Sequence, residues 1–329
     1  MRIIVDAMGS DNSPKVEVEG CVQAVGEFGC DIMLVGDRTK IEEELARCGA
    51  NGSNISIEHA ASVIEMREPA ALSVRRKRDS SIVVALELLK SGKGDAFISA
   101  GNTGAVVCAA TLSLRLLPGI ERPGIAIIMP SLTGTSVIID VGANIDPKPL
   151  HLLQYGIMAD AYSRYILGKE NPAIGLLNVG EEESKGTGFL KETHTLLGES
   201  KLNFIGNVEG RDIYAGKADV IICDGYVGNV ILKVSESVAW TIVELLKREI
   251  KNDIIASLGA VLSGSAFNEL KKKMDYSEYG GAPLLGVDGR CIICHGSSSA
   301  KAIKNAIRVA AEFVERDVNK HILEELGSY

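Results

Sequence analysis

The chain has 329 residues, about twice the ~150 that one domain commonly takes, so one large α/β domain or two lobes on a shared core both fit. An apolar content of 46% excludes a disordered chain. A net charge of −8 argues against a dedicated nucleic-acid binder, whose affinity would come from phosphate neutralisation.

The start, Met1–Asp6, lacks the apolar core of a signal peptide, and no apolar run approaches ~18 residues. The expectation is a cytoplasmic protein with no spanning segment. Its seven cysteines are then reduced thiols, and an odd count fits no closed disulfide framework.

In chain order, strand-like runs fall at Arg2–Val5, Ile32–Val35, Ile55–Glu58, Ala96–Ser99, Gly124–Met129, Ser136–Asp140, Ala173–Leu177 and Val220–Cys223. Between most of them apolar residues recur with a spacing near 3.6. Ile41 and Leu45 follow Asp37 as a capped helix; Ile82, Ala85, Leu86 and Leu89 follow Asp79 or Ser80. This alternation predicts an α/β fold with a mostly parallel sheet covered on both faces. No linker separates domains, so residues 1–329 read as one. Residues 235–273 are helical without a strand, broken around Gly259–Gly264, and read as a hairpin projecting from the body. Strand-like text resumes at Pro283–Val287 and Cys291–Cys294, and a last helix begins near Ser298.

Ligands of open α/β sheets bind beyond the carboxyl ends of strands. Five glycine-rich or polar segments follow strands: Asp6–Asp11, Ala100–Ala105, Val141–Asn144, Asp224–Val230 and His295–Ser299. They are expected at one edge of one sheet. Gly101-Asn102-Thr103-Gly104 opening a helix offers backbone N–H groups and a positive dipole end to a phosphate; Gly228-Asn229 and Gly296-Ser297 follow the same logic. None spells a Walker loop or a dinucleotide fingerprint. A sixth segment, Gly175–Gly186, carries three acids and Lys185 after a strand end; it reads either as a solvated turn or as Lys185 serving as counter-charge to a phosphate.

Cys291-Ile292-Ile293-Cys294-His295 spells a haem attachment motif, but an extended strand sends the two cysteines to opposite faces, so both read as buried packing. Cys223 reads the same way. The five histidines show no metal spacing, and neither metal nor cofactor is expected. Arg75-Arg76-Lys77-Arg78 is either a solvated helix start or a docking patch for an acidic partner. Ile250, Ile254, Leu258, Val261 and Leu262 form a stripe flanked by Lys247, Arg248, Lys251 and Lys271–Lys273. Such a stripe fits a core or dimer face, or a membrane surface.

Taken together, the strings Asp6–Asp11, Arg75–Ser81, Ser99–Ala105, Asp140–Asn144, Gly175–Glu182, Gly206–Asp212, Asp224–Val230, Tyr279–Gly286 and His295–Ser298 resemble the bacterial phosphate acyltransferase family, PlsX. Departures are small: Ser10 stands where a second glycine is usual and Tyr226 where Phe is. The resemblance implies an α/β/α sandwich like isocitrate and isopropylmalate dehydrogenases and phosphotransacetylase, assembled as a homodimer. It implies reversible transfer of a fatty acyl group from acyl carrier protein to inorganic phosphate. The acyl phosphate then feeds a membrane glycerol-3-phosphate acyltransferase (PlsY) at the start of phospholipid synthesis, at the inner face of the cell membrane.

On residue type and loop position, Lys185, Asp224, Asn229 and His295 are the candidate catalytic groups. Asp6, Gly9, Gly101, Asn102, Thr103, Gly104, Asn144, Asn178, Gly225, Gly228, Gly296 and Ser297 are the candidate phosphate-binding set. Arg75–Arg78 are assigned to carrier-protein docking. A dehydrogenase of related fold and a non-enzymatic carrier-protein scaffold are the alternatives.

Overall fold

The computed structural model describes residues 1–50, 54–274 and 276–327. The side chains of Ile254, Asn268, Leu270, Lys271, Lys273, Met274 and Tyr276 fall outside that description, so the expected parts of Ile254, Lys271 and Lys273 in the hairpin do too. The strands are β1 (Arg2–Asp6), β2 (Asp31–Gly36), β3 (Ile55–His59), β4 (Ala96–Ser99), β5 (Gly124–Ser131), β6 (Gly134–Ile139), β7 (Ile174–Leu177), β8 (Phe204–Val208), β9 (Val220–Ile222), β10 (Ala282–Leu285) and β11 (Cys291–Ile293). The helices are α1 (Lys15–Phe28), α2 (Arg38–Arg47), α3 (Ala70–Arg76), α4 (Ser81–Lys90), α5 (Thr103–Leu114), α6 (Pro149–Leu167), α7 (Gly188–Gly198), α8 (Gly210–Ala215), α9 (Gly225–Asn252), α10 (Ile254–Leu262), α11 (Gly264–Met274), α12 (Ala300–Glu315) and α13 (Val318–Leu326).

All the strands join one sheet in the order β3-β2-β1-β4-β11-β10-β5-β6-β9-β7-β8. Helices cover both faces, which is why the strands are near-continuous apolar runs. Alternate residues serve opposite layers. Phe97, Ile138, Ile221 and Cys291 enter one core with α4 and α5. Ile139 and Ile222 enter a second with α6, and Ile98 and Cys294 a third with α1 and α12. Cys291 and Cys294 therefore do point to opposite faces as buried packing. Asp37 caps α2 by accepting the N–H groups of Thr39 and Lys40. Ser80 occupies the N-cap of α4 without a capping bond from its side chain.

The expectation of a single edge does not hold. Most pairings are parallel, but β5–β6, β5–β10 and β10–β11 are antiparallel. Strands β1–β5 and β11 run one way, and β6–β10 the other. The reversal enters at the tight Leu132-Thr133 connection from β5 to β6. A parallel crossover needs a dozen or more residues. The six residues between the two predicted runs already demanded a hairpin.

Strand β8 has no counterpart in the sequence reading. Gly206 and Asn207 interrupt it, and it holds its place as an edge strand on β7, with a register irregularity between Ile174 and Leu176. The helical segment also differs in detail. It breaks at Asp253, whose carboxylate accepts the N–H groups of Ile255 and Ala256, and again at Ser263. Gly259 lies inside α10, so three helices replace the expected pair. Only Gly225 and Gly228 of α9 are buried, which fixes the base of α9 to the body and leaves its remainder outside the core.

Candidate active site

Strand direction sorts the predicted loops into two groups. The first follows β1, β4 and β11. Asp6, fully buried at the end of β1, accepts Met8 N–H (3.1 Å) and the Ser99 hydroxyl (2.7 Å), and Ser99 Oγ in turn accepts Gly101 N–H (3.0 Å). Burial pushes the Asp6 carboxyl upward, opposed by those hydrogen bonds. Gly9 lies flat on this turn: a Cβ there would come within 2.5 Å of Gly101 N and 2.9 Å of Asp6 Oδ2. The third loop is tied in by Asp11 N–H donating to Gly296 O (2.8 Å).

Asn102 is spent on structure. Its Oδ1 caps α5 through Ala105 N–H, and its amide nitrogen donates to the carbonyls of Glu65, Met66 and Glu68. Its side chain is thus a brace for the 65–68 loop rather than the phosphate ligand expected from sequence. Beyond it, Thr103 and Gly104 are exposed, and as the first two helical residues their N–H groups have no intrahelical acceptor. His295 Nδ1 accepts Ser297 N–H (3.2 Å), which leaves the proton of a neutral ring on Nε2.

The second group follows β6, β9 and β7. Asp140 is buried and accepts four backbone N–H groups, from Ile125, Gly142, Ala143 and Asn144, at 2.7–3.0 Å. Desolvation pushes its carboxyl upward against the pull of those bonds. Asn144 donates its amide to Pro123 O and Tyr155 Oη, and Asn178 bridges Val179 N–H and Lys185 O. Both are structural here, contrary to the binding roles drawn from sequence.

The first turn of α9 is closed as well. Asp224 accepts the N–H groups of Tyr226 and Val227 with its carboxylate and that of Gly228 with its carbonyl, while Gly225 N–H donates to Asn144 O. The N–H donors expected at Gly225 and Gly228 are therefore occupied. Gly228 is required for space, since a Cβ would sit 1.9 Å from Asp140 O.

Among the described residues, the side chains of Asn229 and Lys185 make no hydrogen bond to the scaffold. The Asn229 amide lies beside Gly142, whose φ of +143° brings the backbone close enough that a Cβ would be 3.2 Å from Asn229 Nδ2. Lys185 is half-exposed, with Nζ 3.9 Å from Glu182 Oε1. Cys223 is buried, and burial pushes its thiol up, in keeping with packing.

The basic run divides. Lys77 turns inward to Glu68 and Val63 O; its hydrogen bond, with others from Glu65 N–H and Ser73, holds the Glu68 carboxyl at about 2. Arg75, Arg76 and Arg78 stay exposed, with no ion pair among the described residues.

Buried carboxyls outside the expected set include Asp160, Asp212 and, beside the first group, Glu17. Glu17 shares the buried face of α1 with Cys21 and Ala24, at i+4 and i+7. It accepts Ser10 N–H (3.0 Å) and is pushed by burial to about 7. A charged residue in phase with an apolar stripe was the available signal.

The model of a family described as fatty acid synthesis protein matches residues 1–321. A phosphate acyltransferase of Geotalea uraniireducens is 52% identical over 99% of this chain and 94% of its own, and one of Geotalea daltonii is 51% identical over the same shares. Among solved structures, a phosphotransacetylase from Streptococcus pyogenes superposes with a TM-score of 0.66 at 18% identity, covering 96% of this chain and 94% of that one. A 4-hydroxythreonine-4-phosphate dehydrogenase from Salmonella typhimurium gives 0.50 at 15% identity, over 95% and 98%. These last two speak to the fold alone. The chain belongs to the fatty acid synthesis protein family that includes the phosphate acyltransferases, and it is an acyltransferase.

Proposed function

We propose that the protein reversibly transfers a fatty acyl group from acyl carrier protein to inorganic phosphate, giving an acyl phosphate for phospholipid synthesis. The observation that carries this reading is the abutment of α3 on α5: a Cβ on Gly104 would lie 3.1 Å from Ala70 Cβ. The helix that ends in Arg75 and Arg76 is thereby set against the open first turn of α5. An acidic carrier docked on those arginines would deliver its thioester beside anion-binding N–H groups. The phosphate acceptor follows from what the relatives are called.

The chemistry needs positioning more than covalent help. A phosphate oxygen attacks the thioester carbonyl, forming a C–O bond and a tetrahedral oxyanion. The C–S bond then breaks, and phosphopantetheine departs as thiolate; a thiol of pKa near ~8.5 leaves without obligatory protonation. We assign phosphate to Thr103 and Gly104 N–H, and oxyanion and phosphate stabilisation to Asn229 and Lys185. His295 is the candidate to orient the phosphate. Asp224, as the cap of α9, orients Asn229. Opposed strand directions do not forbid a shared cleft. Neighbouring strands rotate by about 20–25°. Over the five steps from β4 to β9 such rotation, roughly 100–125° in sum, takes the two sets of carboxyl ends out of strict opposition, and we place both on one cleft.

The helical extension supports a dimer that touches lipid. Leu258, Val261 and Leu262 are 65%, 77% and 80% exposed, too apolar a set to remain in water on a projecting element. Val234, Val238, Ile242 and Leu245, also exposed, line α9 at helical spacing. We assign this α9 face to the twin hairpin of a second subunit and the α10 tip to the membrane surface, where PlsY would take the product. Among the described residues no helix is long and apolar enough to cross a membrane, so the contact is peripheral. Exposed Lys247, Arg248 and Lys251 would add about 1 kcal/mol each on anionic lipid.

The test is thiol release from acyl carrier protein with and without phosphate, run beside NAD reduction at 340 nm. Phosphate-dependent release without NAD turnover is expected; the reverse pattern would establish the dehydrogenase alternative. Liposome co-sedimentation that is equal for the native protein and Leu258→Glu, with an unchanged dimer, would remove the membrane assignment.

A further inference from the structure

The loop that lies over the α5 turn is held from below by a residue that no role yet covers. Glu17 Oε1 accepts Ser10 N–H at 3.0 Å in a buried setting, and the buried Ser10 hydroxyl sits against the same carboxyl, opposing the upward push of burial. Ser10 follows Gly9, and Gly9 is pressed against Gly101 N, Ala100 C and Asp6 Oδ2 so tightly that no side chain fits. Gly101 is held by Ser99, and Ser99 by Asp6. A continuous chain of contacts thus runs from α1 through Ser10 and Gly9 to the residues immediately before Thr103 and Gly104.

We infer that Glu17 is a positioning residue for acyl transfer, fixing the Ala7–Asp11 loop onto the turn that presents the α5 donors to phosphate. This rests on the assignment of phosphate to α5. Glu17 touches no reacting atom and acts only through Ser10. The titratable groups that face it are Asp6 from β1, Cys294 just past β11 and Cys21 on its own helix. None of these is a cation, so ionisation of Glu17 puts an unbalanced negative charge behind an anion-binding turn. With its carboxyl at about 7, the grip on the loop changes across neutral pH.

Glu17→Gln keeps a Ser10 acceptor in the same volume and cannot ionise; Glu17→Leu keeps the volume and loses the acceptor. Amide hydrogen exchange over residues 8–11 and 99–104 reads the latch without reference to activity. In Glu17→Leu it should rise about tenfold, and Glu17→Gln should restore it. In steady-state kinetics Glu17→Leu should raise KM for phosphate about tenfold with kcat within twofold. Glu17→Gln should show wild-type KM at pH 6 and lose the inflection near pH 7 that the wild type retains after the second ionisation of phosphate itself is divided out. Unchanged exchange in Glu17→Leu would overturn the latch, and raised exchange with unchanged KM would overturn its link to phosphate. Should Glu17→Leu not fold, a Glu17→Gln profile that retains the inflection would overturn the inference by itself. Phosphate-independent thiol release by the wild type would instead overturn the α5 assignment, with the exchange arm still deciding the latch.

Discussion

Helices α5 and α9 both leave the sheet through a glycine-rich turn with an asparagine, and they spend their first turns differently. The Asp224 carboxylate takes the N–H groups of Tyr226 and Val227, whereas the Asn102 side chain takes Ala105 N–H, and among the described residues the N–H groups of Thr103 and Gly104 have no hydrogen-bond partner. A carboxylate at the N-cap answers the positive end of the helix from within, while an asparagine leaves that charge for a ligand. The lesson is that two helix starts built on Gly-x-x-Gly differ in how many first-turn amides their caps leave open. In the proposed reading the second group contributes side chains, Asn229 from α9 and Lys185 from the loop after β7, whereas α5 contributes backbone amides.

The sharpest way to break this contrast is to remove the side chains of the second group. Lys185→Ala and Asn229→Ala should each cost about a hundredfold in kcat or in KM for phosphate, roughly 3 kcal/mol for one positioned donor. Steady-state kinetics on folded variants checks this; near-normal values for Lys185→Ala would return that residue to a solvated turn.

The buried acids differ too, and pH separates them. Asp140 is surrounded by four backbone N–H donors from two segments, whereas Glu17 is held only by Ser10 and its own backbone. The Glu17 carboxyl rises from 4.5 in the unfolded chain to about 7 on folding. The folded state therefore binds this proton more tightly, and its contribution to stability is full below about 4.5 and is lost as pH climbs to about 7. Glu17→Gln should remove that slope, recovering up to about 3 kcal/mol at pH 8.5 and little at pH 4.5. Denaturant unfolding of both proteins at the two pH values would show it; parallel pH dependence would refute it.

Smaller effects sharpen the comparison of caps. Asn102→Ala removes one cap and three loop carbonyl bonds, which should cost about 2 kcal/mol of stability and raise KM for phosphate. Asp224→Asn should keep capping α9, with stability changed by less than about 0.5 kcal/mol and kcat within a few-fold. A collapse of kcat with unaltered stability in Asp224→Asn would make that carboxylate a base rather than a cap.

Much of the fold was legible because both-face burial writes strands such as Ala96–Ser99 and Val220–Ile222 as unbroken apolar runs. β8 was not, because Gly206 and Asn207 suit a strand only once β7 provides the edge. The sheet reversal lay in a loop too short for a crossover, and it was this length, not composition, that carried the information. At the candidate site, residue type singles out the turns but not the use of each side chain. Asn102, Asn144 and Asn178 all look like ligands in sequence, and each is hydrogen-bonded to backbone that only the folded chain brings within reach. Glu17 was legible by helical phase and was passed over because an acid on an apolar face carries no motif.

The central claim is that the α5 amides and the Asn229–Lys185 pair serve one anion. A crystal structure of the protein with an acyl phosphate bound tests it most directly. The account predicts phosphate oxygens within hydrogen-bond distance of Thr103 and Gly104 N–H, with Asn229 or Lys185 reaching the same phosphate or the adjoining carbonyl. An acyl phosphate held by one group alone, with the other facing solvent, would contradict it.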